Sequence, residues 1–338
     1  MKLTFVGFGN LGKGLARVLL EKEDYLKNRS GFSPEVVAVV DIDGAVIDPD
    51  GIDLQELLER AEDGGKITDY PDANEEVSAL DVIEDVNSDV VVELTPTSIE
   101  DGEPGLSHIK KAMDLQKHVV TSNKGPLVVA FRELEDKAYE SGIEFRYSAT
   151  VGGAVPVIGL ARNQLSGDSV SEIRGVLNGT TNYILTRMAE EGVPFDVVLH
   201  EAQELGIAEK DPTLDIEGID TAAKMTILTN SLLDRDVKLD DVEIEGITRI
   251  GPELMELAKE TGKEIRLVGV ASSQELEVSP KLVSEGDPLA VRGTLNSVTL
   301  KTDLAREVTI TGFGAGPRET SSALLGDIVD IYKTVSGF

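Results

Sequence analysis

A glycine-rich turn near the start of the chain, Gly7-Phe8-Gly9-Asn10-Leu11-Gly12, constrains the fold more than any other feature. An apolar run precedes it at residues 2–6, and helical spacing follows it at residues 11–20. In such a strand–turn–helix unit, the first glycine allows the tight turn and the second lets a pyrophosphate approach the backbone. The third lets the helix pack against the strand. Because free amides and the helix dipole favour negative charge, we expect the pyrophosphate of a dinucleotide at this helix N-terminus.

Strands and helices alternate over the first part of the chain. Strands are predicted at residues 2–6, 35–40, 90–94, 119–120 and 143–147, and helices at residues 11–20, 107–116 and 131–141. This alternation predicts an α/β fold with a doubly wound, Rossmann-type, mostly parallel sheet. We therefore predict a dinucleotide-binding domain over residues 1–130, completed by residues 311–338.

The pattern changes after Gly152-Gly153. Strands are predicted at residues 170–177 and 265–272, short strands over 276–310, and helices at residues 182–191, 194–205, 219–232 and 321–332. The elements before residue 311 predict an α+β domain with a mixed sheet over residues 131–310, and we expect it to bind the substrate.

Charge and composition exclude several classes of function. The chain has no cysteine, which excludes disulfides, cysteine-ligated zinc and thioester chemistry. A dehydrogenase that works between an alcohol and a carbonyl needs none of these. Only three histidines occur, His108, His118 and His200, so lysines and carboxylates are better candidates for the chemistry than a histidine–carboxylate pair.

The net charge of −30 disfavours a nucleic-acid partner, because phosphates would be repelled. The acidic residues are spread along the whole chain, which indicates a solvated surface, and we hypothesise a halophilic adaptation to high salt. No apolar run reaches the length of about 18 residues that a membrane helix needs, and no signal-like segment opens the chain. We therefore expect a cytoplasmic protein without membrane contact.

Asp41 ends the second predicted strand, where a carboxylate can bind the ribose hydroxyls of the cofactor. It would repel a 2′-phosphate and thus favour NAD. Asp41 comes later than the usual spacing of about 20 residues, so residues 21–34 must lengthen the helix or form an inserted loop. The alternative is a turn aspartate in Asp41-Ile42-Asp43-Gly44, which leaves both NAD and NADP open.

Two further segments are predicted to contact the cofactor. Thr95-Pro96-Thr97 follows a strand end, and such loops line the nicotinamide half of the site in these folds. Gly312-Phe313-Gly314-Ala315-Gly316 is a second glycine cluster, either a flexible turn or the point at which the chain returns to close over the dinucleotide.

Two groups of residues are candidates for the chemistry. Lys124, in a loop just after a predicted strand, is expected to point into the ligand crevice rather than to be a plain surface lysine. Asp220 and Lys224 lie four residues apart on a predicted helix and so share a face, near the carboxylates of Glu209, Asp211 and Asp215. The set is either an ordinary surface ion pair or a proton-transfer lysine with carboxylates that bind the ammonium group of an amino-acid substrate.

These motifs together resemble those of homoserine dehydrogenase over nearly the full chain. The specific ones are Thr121-Ser122-Asn123-Lys124-Gly125-Pro126, Ala149-Thr150-Val151-Gly152-Gly153-Ala154-Val155-Pro156, Asn178-Gly179-Thr180-Thr181-Asn182-Tyr183-Ile184-Leu185, and the run from Gly206 through Asp220 to Lys224. The resemblance implies reversible NAD(P)-dependent conversion of aspartate 4-semialdehyde and homoserine, in threonine, methionine and isoleucine synthesis. It also implies a homodimer, with the second domain serving dimerisation.

The resemblance further implies roles for matching positions. Lys224 would be the general acid and base with Asp220 beside it, and Lys124 would lie at the nicotinamide and substrate. The expected substrate contacts are Glu209, Asp215, Asn178, Gly179 and Thr180, and the expected additional cofactor contact is Gly316. A monovalent cation, Na⁺ or K⁺, would be held by the backbone carbonyls of Val151, Gly153 and Val155, with Ser148 where relatives often have a glutamate.

Two other functions are compatible with the sequence. The chain could be another amino-acid or oxo-acid dehydrogenase with the same cofactor domain, which a substrate profile would distinguish. It could also be a non-catalytic NAD sensor, although a sensor has no need of a proton donor such as Lys224.

Overall fold

A computed structural model of the chain describes residues 1–62, 66–71 and 73–337. They divide into two units: Met1–Thr150 together with the segment from Gly316 onward, and Val151–Ala315. No helix in the described residues is long and apolar enough to cross a membrane.

The sheet of the first unit has the strand order β3-β2-β1-β4-β5-β6. Its strands are β1 (Lys2–Val6), β2 (Glu35–Asp41), β3 (Gly44–Ile47), β4 (Val90–Glu93), β5 (His118–Thr121) and β6 (Phe145–Arg146). All neighbours pair in parallel except β2 and β3, which are antiparallel. The valine-rich central strands are buried, as expected for a sheet that is covered by helices on both faces. The predicted doubly wound fold is confirmed.

The helices of this unit are α1 (Asn10–Ser30), α2 (Leu54–Glu62), α3 (Ala79–Asp85), α4 (Gly105–Asp114), α5 (Lys124–Ser141) and α12 (Pro317–Ser336). Helix α1 is 21 residues long, so the extra residues before Asp41 lengthen the helix and do not form an inserted loop. Helix α12 packs on α1 so closely that a Cβ at Gly14 would lie 2.9 Å from the Ser321 hydroxyl.

The sheet of the second unit has the order β12-β11-β7-β9-β10-β8. Its strands are β7 (Val170–Val176), β8 (Glu243–Ile244), β9 (Lys263–Ser272), β10 (Leu276–Ser284), β11 (Leu295–Thr302) and β12 (Glu307–Phe313). Its helices are α6 (Val157–Asn163), α7 (Gly179–Glu191), α8 (Phe195–Glu204), α9 (Thr213–Ile216), α10 (Ile219–Leu232) and α11 (Pro252–Glu260). Only β8 and β10 pair in parallel, so this is the expected mixed sheet.

The boundary between the units differs from the one at residue 130 that the sequence pattern indicated. Residues 131–150 belong to the first unit, because α5 continues through them and β6 pairs with β5. At the other end, residues 311–315 belong to the second unit, because β12 continues to Phe313 and pairs there with β11. The segment over 276–310, expected as short strands, forms long hairpin strands. The first-unit elements β3, α2 and α3 and the second-unit elements α6, α9, β8 and α11 were not predicted.

Candidate active site

The glycine turn of the first unit is closely constrained at two of its three glycines. Gly7 has φ 103°, and a Cβ there would lie 2.9 Å from the main-chain carbonyl of Leu94. A Cβ at Gly12 would lie 2.6 Å from the carbonyl oxygen of Gly7. Gly9 is different, because a Cβ there would meet no atom of the described residues within 4 Å. The turn therefore packs tightly against its own unit and leaves open space only over Gly9.

Helix α1 begins at Asn10, directly after this open position, and its first turn contains no acidic residue. Gly9 and Asn10 are exposed, and Leu11 is half-buried. The first amides of a helix have no partner within the helix, so they can bind an anion. The open start of α1 at Gly9 can therefore accept an anion, and the position of the pyrophosphate stays a prediction.

Asp41 lies next to the same turn. Its carboxylate accepts the Phe8 main-chain N–H at 2.9 Å and its own neighbour, the Ile42 N–H, at 2.8 Å. The alternative of a turn aspartate is thus partly realised, since β2 and β3 meet in this turn, but the carboxylate also reaches the glycine turn. Nearby Lys66 forms an exposed ion pair with Asp43 at 3.3 Å.

The Thr95-Pro96-Thr97 loop follows β4 and is bound to the last residue of that strand. Glu93 is fully buried and accepts the Thr95 main-chain N–H at 2.8 Å and the Thr95 hydroxyl. Its other oxygen contacts His108 Nδ1 at 2.8 Å. This histidine–carboxylate pair was not predicted from the sequence, which had favoured lysines and carboxylates for the chemistry. The available signal was a single carboxylate at the end of the valine run Val90–Val92.

The sequence had indicated a loop at Lys124. In the structure Lys124 is instead the first residue of α5. The side chain of Asn123 caps this helix by accepting the Gly125 N–H at 3.1 Å. The Asn123 amide also donates to the Thr95 hydroxyl at 3.2 Å and to the Pro96 carbonyl at 3.3 Å. One buried side chain therefore joins the start of α5 to the loop after β4.

The second unit holds the lysine–carboxylate cluster. Lys224 and Asp220 both lie on α10, and the Lys224 ammonium pairs with Asp220 Oδ2 at 2.6 Å. Lys224 is nearly buried, and its ammonium also donates to the Leu177 carbonyl at 2.7 Å. The Leu177 carbonyl accepts a second hydrogen bond from the amide of buried Asn296 at 2.9 Å. The pair is therefore held on both sides, unlike an ordinary surface ion pair.

Asn178 connects this pair to a second carboxylate. Its amide donates to Asp215 at 2.6 Å and to Asp220 at 2.9 Å. Its side-chain oxygen caps α7 by accepting the Thr181 N–H at 2.9 Å. Asn178, Asp215, Asp220 and Lys224 thus lie together in the structure.

The neighbouring predicted substrate residues are arranged differently. The Thr180 hydroxyl donates to the Ile207 carbonyl at 3.1 Å, and a Cβ at Gly179 would lie 3.1 Å from the Thr294 carbonyl oxygen. Glu209 is exposed, and its main-chain carbonyl accepts from Gln203 at 3.1 Å. In the described part of the chain no hydrogen bond joins its carboxylate to the cluster.

The loop that was expected to hold a cation turns at Gly152 and Gly153, which have φ of 82° and 54°. The Val155 carbonyl accepts the Val157 N–H at 2.8 Å, which leaves one of its lone pairs for an ion. The described residues contain no group of three or more histidines or carboxylates arranged for a metal ion. In the first unit, Gly316 precedes α12 with φ 126°.

Family models match both parts of the chain. Residues 156–329 match the model described as homoserine dehydrogenase. Residues 1–100, which include the glycine turn, match the model described as glutamate/leucine/phenylalanine/valine dehydrogenase.

Full-length relatives and solved structures agree with the first of these models. The chain is 50% identical to the homoserine dehydrogenase of Methanocaldococcus jannaschii, with 99% of each chain covered. It is 36% identical to the NAD(+)-dependent homoserine dehydrogenase of Pseudomonas canavaninivorans, covering 99% of this chain and 97% of that one.

Among solved structures, the putative homoserine dehydrogenase of Archaeoglobus fulgidus superposes with a TM-score of 0.90 at 40% identity, covering 98% of this chain and 99% of that one. A hyperthermophilic archaeal homoserine dehydrogenase mutant in complex with NADPH superposes with a TM-score of 0.86 at 30% identity, covering 100% and 98%.

Proposed function

This chain belongs to the homoserine dehydrogenase family, and we propose that Lys224 transfers the proton in its NAD(P)-dependent interconversion of L-homoserine and L-aspartate 4-semialdehyde. The observation that carries the proposal is the geometry of one ammonium group. Two of its three N–H donors are taken by Asp220 and the Leu177 carbonyl. Among the described residues the third has no partner, and it remains for the oxygen of a substrate.

The cluster around Lys224 fits this role. Hydride transfer to an aldehyde leaves an alkoxide that needs a proton, and the reverse direction needs a base for the hydroxyl. Asp220 and the Leu177 carbonyl fix the direction of the ammonium group, and Asn178 fixes Asp220. Lys224 therefore stays oriented while its proton leaves and returns.

The amino-acid end of the substrate is assigned to the acidic side of the cluster. Asp215 is half-buried and tied to Asn178, so its carboxylate is fixed and can accept hydrogen bonds from an ammonium group. Glu209 lies exposed on the segment before α9 and can add a second carboxylate. Asn178, Gly179 and Thr180 would line the same substrate pocket.

Residues of the first unit are assigned to the cofactor, whose nicotinamide accepts or supplies the hydride when it is bound. The turn from Gly7 to Gly12 would hold the pyrophosphate, Asp41 the adenosine ribose, and Thr95-Pro96 with Gly316 the remainder. Lys124, at the first turn of α5, would lie beside the nicotinamide and the substrate. Because the Asp41 carboxylate would repel a 2′-phosphate, we expect NAD to be preferred over NADP.

We also propose a monovalent cation, Na⁺ or K⁺, on the carbonyls of Val151, Gly153 and Val155. The two positive-φ glycines support it, because they turn successive carbonyls within one short loop. Neutral Ser148 contributes no carboxylate to this site, so binding should be weak. Activity in NaCl, KCl and choline chloride at equal ionic strength measures it.

A homodimer is proposed for the second unit. Helix α11 and strand β10 expose Leu254, Leu257 and Leu282, each at least half accessible, around an apolar groove of about 520 Å³. Burying such side chains against a second copy is favourable by roughly 25 cal/mol per Å². The molar mass in solution tests this, and a monomer at micromolar concentration would refute it.

Through the interconversion of L-homoserine and L-aspartate 4-semialdehyde, the enzyme would serve threonine, methionine and isoleucine synthesis.

The decisive experiment is steady-state oxidation of L-homoserine with NAD and with NADP. Lys224→Ala should lower kcat by about 10²- to 10⁴-fold. Its dissociation constant for the cofactor should change little, because the predicted cofactor contacts are in the first unit. Exposed Lys259 on α11 supplies a matched lysine, and Lys259→Ala should leave kcat unchanged.

Two results would contradict the proposal. Undiminished turnover in Lys224→Ala would remove its proton-transfer role. Comparable activity of the unaltered enzyme on an unrelated hydroxy acid would argue for a different substrate.

A further inference from the structure

Glu93 is a buried carboxylate at an unusual place, the end of the otherwise apolar strand β4. It is 0% exposed, and the three residues before it are valines. Burying a charged carboxylate is strongly unfavourable unless it is paired and hydrogen-bonded. An apolar residue would avoid this cost, so the carboxylate must do something that an apolar side chain could not.

Three donors compensate the Glu93 carboxylate. One oxygen accepts both the main-chain N–H and the hydroxyl of Thr95, and the other contacts Nδ1 of His108 on α4, which is 7% exposed. With Glu93 ionised, the contact at 2.8 Å requires His108 to donate from Nδ1. The carboxylate therefore connects α4 to Thr95, which is predicted to contact the cofactor.

The same network extends to the start of α5. Asn123, which is 1% exposed, donates to the Thr95 hydroxyl and to the Pro96 carbonyl, and it caps the helix at Gly125. A Cβ at Gly125 would overlap the carbonyl oxygen of Ser98. The loop after β4 and the first turn of α5 are thus held against each other, so a shift of Thr95 would move both.

The position of Glu93 in the sheet adds a functional argument. Strand β4 pairs with β1, and the chain order in the sheet reverses at these two strands. In open α/β sheets, ligands bind at the carboxyl ends of the strands at this reversal. The end of β1 is the glycine turn, and Gly7 packs on Leu94, the residue directly after Glu93.

We propose that Glu93 and His108 are positioning residues for the cofactor. Their buried pair fixes the loop Thr95–Thr97 and, through Asn123, the N-terminus of α5 at Lys124. This inference rests on the proposed assignment of that loop to the cofactor. Neither residue needs to touch the reacting atoms.

The test compares three variants that differ in the hydrogen bonds they keep. Glu93→Leu removes every acceptor, and His108→Phe removes one donor and leaves Glu93 bound to Thr95. Glu93→Gln keeps the acceptor for Thr95, and its amide can donate to the other tautomer of His108. We expect the dissociation constant of NAD to rise on the order of tenfold or more in Glu93→Leu, less in His108→Phe, and within about threefold of the unaltered enzyme in Glu93→Gln.

A control variant separates positioning from a general loss of stability. Lys117 is also buried in the first unit, where its ammonium donates to the carbonyls of Ile83 and Val86. Lys117→Met should lower the melting temperature and leave NAD binding unchanged. Hydrogen exchange of the segment 94–99 should accelerate in Glu93→Leu and His108→Phe and stay slow in Lys117→Met.

Kinetics with homoserine complete the test. The KM for NAD should rise more than the KM for homoserine in Glu93→Leu and His108→Phe. NAD binding and hydrogen exchange that match the unaltered enzyme in folded Glu93→Leu, or in His108→Phe should Glu93→Leu not fold, would overturn the inference. Absence of homoserine turnover in the unaltered enzyme would instead overturn the proposed function, so the two failures are distinguishable.

Discussion

At the scale of single residues, local spacing predicted only part of the candidate active site. Asp220 and Lys224 could be paired from sequence because they lie four residues apart on one helix. The contact of Asn178 with Asp215 and Asp220 could not be predicted, because it depends on how the start of α7 approaches α9 and α10. The pair Glu93–His108 was missed for the same reason: fifteen residues and a change from strand to helix separate its members.

His118 predicts a specific pH dependence of stability. Burial lowers the pKa of His118, and its Nδ1 accepts the Glu144 N–H at 2.9 Å, which requires a neutral ring at that atom. In the unfolded chain, His118 takes up its proton near pH 6.5, which is above its pKa in the folded protein. The stability that the neutral ring contributes is therefore fully present above that pH and is lost as the pH falls below it. His118→Asn, which keeps an acceptor, should reduce the slope of unfolding free energy against pH between about 7 and 5.

Urea unfolding across this pH range measures the slope. The matched control is His200→Asn, because the side chain of His200 is 75% exposed. The expectation fails if both variants keep the slope of the unaltered protein.

At the scale of elements, the strength of the local signal decided what could be predicted. The unit β1–turn–α1 was predicted because apolar runs and glycines mark it clearly. The end of α1 at Ser30 was not predicted, because its last turns are polar and lack apolar periodicity. The start of α5 at Lys124 was missed because Gly125 and Pro126 read as a loop. In the structure Asn123 caps the helix and Pro126 occupies its first turn, where a missing N–H costs nothing.

Three glycine-to-alanine variants separate cofactor binding from helix packing. Gly9→Ala places a methyl group in open space over the turn, so it should raise the cofactor dissociation constant on the order of tenfold with about 1 kcal/mol or less of lost stability. Gly12→Ala forces its Cβ against the Gly7 carbonyl and should cost about 1–3 kcal/mol as well as affinity.

The reference for both is Gly326→Ala on the exposed face of α12, where a Cβ meets nothing within 4 Å. It should stabilise the protein by about 0.5–1 kcal/mol and leave the cofactor affinity as it was. Calorimetric titration with NAD and thermal unfolding read the two effects. Equal affinity losses in Gly326→Ala and Gly9→Ala would show that the turn is not specific.

At the scale of the whole molecule, charge is the dominant property that the fold itself does not explain. The chain carries 62 acidic and 32 basic side chains, so even complete pairing leaves 30 negative charges uncompensated.

The fold class could be predicted from the sequence, because the periodicity of apolar residues indicates which strands and helices form each layer. The division at Thr150 could not, since strand pairing between β5 and β6 decides it.

The uncompensated charge predicts that salt stabilises the protein. The screening length falls from about 10 Å at 0.1 M to about 3 Å at 1 M, which removes repulsion between surface carboxylates. The melting temperature in KCl should therefore rise by a few degrees, about 3 °C for a gain of about 2 kcal/mol. A non-ionic osmolyte at equal osmolality separates screening from solvent exclusion. Equal melting temperatures at low and molar salt would refute the halophilic hypothesis.

The first unit is assembled from two distant parts of the chain. Helix α12 completes it through a tilted ring contact between Phe32 and Tyr332, with centroids 4.5 Å apart, and through the hydrogen bond from the Ser148 N–H to Asp327 at 2.8 Å. A ribosome therefore releases all of the contiguous second unit before it supplies the last helix of the first. Nascent chains would carry a finished lysine–carboxylate cluster while the sheet with the glycine turn still lacks its final covering helix.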